Sequence, residues 1–388
     1  MSGTSILTRI RTLWPLGLVA LLWPLRRLWT RTASTPRRFL VIQVAKIGDL
    51  VVTTGLFRAI KASVPDAHLT VMVLPETRDI LQDEPEIDAI LSWSPRELLS
   101  PRKRWRCWRT LTRERFDACL LTTPNPQRLI DAFLARIPTV VSLVEVEKRC
   151  PTQTRLFERL SPTLCTRVPY RQGDLVRAAY QELLPPVGLS PGDPSPRLNP
   201  CDESRQRARS WYESHLADRN RPWIGLSPGA GNELKRWPIE RFAELARLLQ
   251  EQNAQVLIVG SPADKSLAEP ILRSCPESID ACGAVPLRDL PAFLSHLDLF
   301  ISVDTGPLYV ASAVGVPVVD IVGPIDPDEQ PPVEHPCEIV ARSELDCFPC
   351  SHVFNTARSC HTGHLRCLHD THPQEVLEAA LRLLPPRS

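Results

Sequence analysis

The sequence predicts two α/β domains, each a parallel sheet covered by helices on both faces. The first observation behind this is length: the chain has 388 residues, and single hydrophobic cores stop growing near about 250 to 300 residues. The second is that short apolar, β-branched runs alternate with helical patterns in both halves of the chain, which specifies buried parallel strands joined by crossover helices. The third is proline-rich punctuation at Pro185-Pro186 and across residues 191–200, which separates the two series.

The first series opens with FLVIQVA at 39–45, then Gly48-Asp49 and a helical pattern through Ser63, a strand, tight turn and helix. Strands follow at 68–74, near 88–93, at 116–122 and at 139–144, with a basic helix from about 97 to 113 and another helix near 126–136. The pattern weakens between Lys148 and Asn220. A helix at about 202–217 leads into the second series, whose strands read WIGLSPG at 223–229, QVLIVGS at 255–261, LDLFISVD at 297–304 and PVVDIVG at 317–323. Pro238 opens a helix with Ile239, Phe242, Leu245, Leu248 and Leu249 on one face. The expected organisation is therefore a basic apolar segment at 1–38, a Rossmann-like domain at 39–190 and a linker at 191–200. A second Rossmann-like domain at 201–340 and a Cys/His-rich segment with a final helix at 341–388 complete it.

Charge is unevenly spread. The formal net charge is +2, yet residues 1–38 hold seven Arg and no acid, and the remainder carries 39 basic against 44 acidic residues. A mildly acidic body is a poor match for nucleic-acid phosphates, so no nucleic-acid partner is expected. The uncharged stretch Thr12 to Leu25, with Trp14 and Trp23, is shorter than the ~20 apolar residues a membrane span needs. With flanking Arg it suits an in-plane anchor at the membrane interface, against the alternatives of a signal peptide or a dispensable leader.

Three segments carry candidate chemistry. Asp49 stands where a strand ends and a helix begins, a position that lines the ligand crevice of open α/β sheets; it serves there as a proton acceptor or simply as a helix cap. In SPGAGNELKRWP, residues 227–238, small residues including Gly229 allow close backbone approach, and Lys235 supplies a point charge suited to phosphate or stands solvated. Neither a Walker loop nor a complete dinucleotide fingerprint is present. In ISVDTGPLY, residues 301–309, a strand meets a helix start at Asp304-Thr305-Gly306, where free N–H groups can hold an anion.

Taken together and in this order, these segments resemble the ADP-heptose lipopolysaccharide heptosyltransferases, glycosyltransferase family nine. The resemblance runs from about Phe39 to Pro324 and more loosely to the C-terminus. It implies the GT-B fold of two facing Rossmann-like domains, and a bacterial inverting transferase moving heptose from ADP-heptose onto a lipopolysaccharide-core or related cell-surface glycan. No metal or other cofactor is then required for catalysis. It further implies that the N-terminal domain takes the lipid-linked glycan acceptor and the C-terminal domain the nucleotide-diphosphate sugar, in a cytoplasmic protein peripheral on the inner membrane. Residue by residue, Asp49 matches the proposed base, Lys235, Trp237 and Pro238 match the K-x-W-P element, and Asp304, Thr305 and Gly306 match the D-[TS]-G turn. Asp264 matches the acid expected to meet the donor ribose. Two positions depart: Tyr309 stands where the family usually has His, and Gly323-Pro324-Ile325-Asp326-Pro327 lacks a hydroxyl of the GPTDP-like segment. Loss of activity at Tyr309 would leave a non-catalytic nucleotide-sugar-binding or scaffold protein at the membrane.

Cys347, Cys350, Cys360 and Cys367 form C-x2-C-x9-C-x6-C, with His352, His361 and His364 between them and His369 just after. A closed, structural tetrahedral zinc site and a set of reduced, unmetallated cysteines both fit this spacing.

Overall fold

A computed structural model describes residues 15–24, 35–215, 220–332 and 336–384. The chain divides into two compact units, one of residues 1–45, 53–78 and 85–194, the other of residues 46–52, 79–84 and 195–388.

The first unit is built on β1 (Arg38–Ile42), β2 (His68–Val73), β3 (Ala89–Ser92), β4 (Ala118–Leu121), β5 (Thr139–Glu145) and β6 (Thr166–Tyr170). They form one sheet in the order β3-β2-β1-β4-β5-β6. All pairs are parallel, with Leu40 of β1 opposite Thr70 on one side and Cys119 on the other. Central strands are buried on both faces, which is why their sequences are continuous apolar runs. The Pro126–Leu134 helix begins cleanly because Asn125 Oδ1 accepts from the N–H groups of Gln127 and Arg128 at 3.0 and 3.2 Å. Against it lies the Pro15–Leu22 helix, whose Val19 is buried and whose neighbour Trp23 stacks on Phe133 at 6.0 Å between ring centroids. The apolar N-terminal segment is thus partly core, while Leu21 at 71% and Trp105 at 54% exposure point outward. The rest of that segment, residues 1–14 and 25–34, lies outside the described residues. Among the described residues no helix is long and apolar enough to cross a membrane.

The second unit repeats the plan with β7 (Trp223–Ser227), β8 (Gln255–Gly260), β9 (Ile279–Cys282), β10 (Leu299–Val303), β11 (Val318–Ile321) and β12 (Cys337–Val340), again all parallel, ordered β12-β11-β10-β7-β8-β9. Both sheets therefore follow the 3-2-1-4-5-6 order of doubly wound folds, whose strand order reverses between the first and fourth strands. In this unit the reversal lies between β7 and β10. The helical pattern expected after Gly48-Asp49 through Ser63 is two helices, Ile47–Val52 and Thr54–Ser63, separated at Thr53. The first packs on the Gly306–Ala313 helix and groups with the second unit, so Asp49 and Lys235 belong to one compact body.

Candidate active site

The carboxyl ends of β7 and β10 flank the reversal point, where a crevice opens because the connecting helices leave to opposite faces of the sheet. Into it run the loop after β7, with Lys235, and the turn after β10, with Asp304-Thr305-Gly306. The Ile47–Val52 helix closes one side. It can do so because two glycines remove the Cβ atoms that would hold the helices apart. A Cβ on Gly306 would lie 2.8 Å from Ile47 Cβ, and one on Gly48 would lie 2.8 Å from Cδ2 of Tyr309. Gly48→Ala should accordingly destabilise the protein by about 1–3 kcal/mol through overpacking, and Tyr309→Leu should relieve part of the loss; thermal unfolding of the single and double variants checks this.

The resulting cavity, about 170 Å³, is lined by Asp49, Lys235, Asp304, Thr305, Gly306 and Tyr309 together with Lys46, Gly48, Gln330, Thr356 and others. Lys235 Nζ donates to Asp304 Oδ2 in a close ion pair, with the Asp304 side chain 5% and the Lys235 side chain 19% exposed. The other Asp304 oxygen accepts from the Tyr309 hydroxyl, which also reaches Gln330 O at 2.8 Å. Tyr309 thus lines the cavity with its ring against Gly48 while its hydroxyl is taken up inside the protein. Beneath them Asp320, 2% exposed, leaves Oδ1 without a partner.

These contacts order the electrostatics. Burial pushes the Asp49 carboxyl up to about 6, opposed by the Lys235 charge and assisted by Asp304. Burial works against the Lys235 ammonium, yet the Asp304 carboxylate, by charge and hydrogen bond, leaves its pKa raised. Burial and then the Asp304 charge push Asp320 well above the usual carboxylate range, which favours its neutral form. Two lysines at the cavity, an aspartate paired with one of them, and Asp49 tuned toward neutrality beside them form an arrangement suited to holding an anion and accepting a proton next to it.

The Gly306–Ala313 helix adds N–H groups. Thr305 is its N-cap in extended conformation and makes no side-chain capping bond, and Pro307 occupies the first turn, where its missing N–H costs nothing. Asp264 and Gly229 also meet: a Cβ on Gly229 would fall 2.5 Å from Asp264 Oδ1, so glycine is what admits the carboxylate. Asp264 Oδ2 accepts from Ser261 N and Oγ at 2.8 and 2.6 Å, and neither Asp264 nor Gly229 lines the cavity. Two contributors stand outside the motifs read from sequence. Lys46, at the carboxyl end of β1 and three residues before Asp49, lines the cavity, and its place directly after an apolar strand was the available signal. Asp320 sits inside the apolar run PVVDIVG, where a lone buried acid is itself a signal.

The four C-terminal cysteines line a second cavity with His361, His364, Leu234 and Pro324. No three of these side chains bring their ligand atoms within 4.8 Å of one another. Among the described residues that spacing is met by Asp326, Glu329 and His352, where His352 Nδ1 lies 2.8 Å from Glu329 Oε1.

Residues 104–361 match the family model described as glycosyltransferase family 9 (heptosyltransferase). The chain is 27% identical over 360 residues to lipopolysaccharide heptosyltransferase 2 of Salmonella typhimurium, spanning 89% of this chain and 98% of that protein. In fold it is similar to the family 9 glycosyl transferase of Veillonella parvula, with TM-score 0.73 and 22% identity over 91% of this chain and 98% of the other. It is similar also to the E. coli heptosyltransferase WaaC solved with ADP, with TM-score 0.64 and 13% identity over 89% of this chain and 99% of the other.

Proposed function

Because the chain belongs to glycosyltransferase family 9, and is thus a glycosyltransferase of GT-B fold rather than a non-catalytic scaffold, we propose that it transfers heptose from ADP-heptose, with inversion, to a lipopolysaccharide-core acceptor. The observation that carries this reading is the convergence of three segments far apart in sequence, around Asp49, Lys235 and Asp304-Thr305-Gly306, on one cavity. The ADP bound to the similar E. coli enzyme and the lipopolysaccharide acceptor in the name of the Salmonella relative support the choice of donor and acceptor.

In this reading the donor diphosphate lies between Lys235 and the N–H groups at the start of the Gly306–Ala313 helix, with Lys46 as a second cation at the rim. Asp264, at the end of β8, takes the donor ribose beyond the cavity. Asp49 accepts the proton of the acceptor hydroxyl as that oxygen attacks the anomeric carbon; the bond from that carbon to the diphosphate breaks, and its electron pair leaves with the diphosphate. Charge growing on the leaving group is met by the fixed cation and the helix start, so these groups assist the transition state more than the ground state. The reading requires no catalytic metal.

The protein would work as a peripheral protein on the cytoplasmic face of the inner membrane. Supporting this are the exposed Leu21 and Trp105, the Arg109 guanidinium 5.2 Å over the Trp105 ring, and the basic exposed face of the Pro101–Glu114 helix. Aromatic rings with arginine heads suit headgroup depth.

A nucleotide-release assay over a donor panel with lipid-linked core acceptors tests the proposal. ADP release that depends on ADP-heptose and on acceptor is the expected result; silence with every heptose donor, or turnover with a different nucleotide sugar, would reject it. The pH profile is a second check. Asp49 acts only when ionised, so kcat/KM should rise with pH through about 6, following its raised pKa. A profile flat between pH 5 and 8 would remove Asp49 as base.

A further inference from the structure

The first unit carries a basic and apolar groove that the transfer reaction does not use. It has a volume of about 870 Å³ and is lined by Phe116 and Asp117, which precede β4, and by Pro138, which precedes β5. It therefore sits at the amino ends of these strands, whereas the substrate crevice of an open α/β sheet opens at their carboxyl ends. Its volume falls in the range of ligand-binding clefts, about 300–1,000 Å³.

The Pro101–Glu114 helix lines this groove with Trp105, Arg109, Thr112 and Arg113, which share one stripe of the helix. The Arg109 guanidinium lies 5.2 Å over the Trp105 ring. The Pro15–Leu22 helix adds Leu18 and Leu22, one turn apart, and buried Trp108, Phe116 and Ala135 form an apolar base. Arg115 and Arg136 also line the groove, and both hold left-handed backbone, with φ of 50° and 62°. Glycine is what that conformation favours, so the backbone does not account for arginine at either position. The nearby acids are already engaged. Asp117 Oδ2 accepts from the N–H groups of Arg37 and Arg38, both at 3.0 Å, and Glu114 pairs with Arg38 at 2.7 Å. Among the described residues Arg109, Arg113 and Arg115 have no ion-pair partner.

Six large hydrophobic side chains are exposed among the described residues, and three of them, Leu21, Trp23 and Trp105, stand on or directly beside the two helices that line the groove. Arginine heads, tryptophan rings and aliphatic walls in one place match an amphiphile with an anionic head and a hydrocarbon tail. We propose that the groove binds an anionic phospholipid, its phosphate among Arg109, Arg113 and Arg115 and the upper part of an acyl chain along Leu18, Leu22 and Phe116. The chain's own neighbouring segment is a worse match, because residues 25–34 contain Arg26, Arg27 and Arg31 and no acid. They add to the positive charge instead of answering it. The proposal rests on the peripheral placement given above, to which it adds a defined lipid site, and it is independent of the transferase chemistry.

The test uses the full chain. Flotation is measured with vesicles of phosphatidylcholine alone or mixed with phosphatidylglycerol, and short-chain phosphatidylglycerol is titrated below its micelle concentration while tryptophan fluorescence is read. The expected results are flotation with the anionic vesicles only, a saturable fluorescence change, and no such change with inorganic phosphate. Each groove arginine removed should weaken the titration roughly 5-fold, so Arg113→Gln/Arg115→Gly should weaken it about 25-fold. Glycine suits the left-handed backbone at 115, so Tm should hold or rise and the loss of binding is not unfolding. Arg102→Gln/Arg106→Gln, at exposed positions of the same helix outside the groove, should titrate like wild type. An equal loss in that control, unchanged binding in the groove variant, or an equal response to inorganic phosphate would overturn the groove site while the peripheral placement stands. A solution dimer broken by Trp105→Ala would assign the groove to a second copy and overturn it too. A wild-type chain that floats with neither vesicle rejects both the site and the peripheral placement. Sugar transfer enters none of these readouts, so the transferase reading stands or fails separately.

Discussion

Asp49→Asn is expected to lower turnover by about 10²- to 10⁴-fold, the range contributed by a positioned general base, while ADP binding stays near the wild-type value. The amide keeps the size of the carboxylate and its place in the first turn of the Ile47–Val52 helix, but it cannot accept the acceptor's proton. The same substitution should make the protein more stable at pH 8. Asp49 has its pKa raised above the unfolded value, to about 6, so ionising it costs the folded state free energy at any pH above that value. The full linkage of such a shift is ~3 kcal/mol, and the part of the side chain open to the cavity reduces it to on the order of 1–2 kcal/mol. Below about pH 4 both folded and unfolded Asp49 are protonated and the difference should vanish. Slow turnover, intact ADP affinity and a Tm gain confined to higher pH form a combined signature that a merely structural Asp49 would not produce. Wild-type turnover in Asp49→Asn sinks the assignment.

How much of this was legible in the sequence depends on where each residue sits. The central strands β1, β4, β7, β8, β10 and β11 are buried on both faces and announced themselves as apolar runs. Three strands the sequence did not announce, β6, β9 and β12, are all sheet edges. An edge strand has one neighbour and little to bury: in β6 Thr166, Arg167 and Pro169 are exposed, and in β12 Ile339 is exposed and the rest half-buried. The proline of β6 further hid it, since proline is tolerated in a ladder only where a donor is not needed. Asp49, Lys235 and Asp304 were readable because each follows a strand at its carboxyl end. What could not be read was their mutual geometry. That Lys235 is held by Asp304, that Tyr309 spends its hydroxyl on Asp304 and Gln330 O, and that Gly48 is glycine because of the Tyr309 ring are all contacts between segments far apart in the chain. Sequence periodicity carries no information about them.

Lys235→Ala should lose stability and donor affinity together. The first loss follows from burial: without the ammonium, the Asp304 carboxylate is left uncompensated above the buried Asp320, and breaking a buried pair from one side costs about 3–5 kcal/mol. For a protein of this size that corresponds to a fall in Tm of roughly 4–6 °C, which protonation of the acids at low pH should partly reverse. The second loss follows from chemistry. A charge-assisted contact to phosphate contributes about 1.5–3 kcal/mol, so ADP should bind about 10- to 150-fold more weakly. Because the leaving diphosphate gains charge as the sugar departs, kcat should fall as well. The double variant Lys235→Ala/Asp304→Asn separates the two losses. It removes the cation and the uncompensated carboxylate at once while keeping a hydrogen-bonding group opposite Tyr309, so Tm should recover by several degrees, whereas ADP affinity and kcat should not. Recovery of binding along with stability would mean that Lys235 serves only to neutralise Asp304, and the diphosphate would then have to be held by Lys46 and the helix start alone.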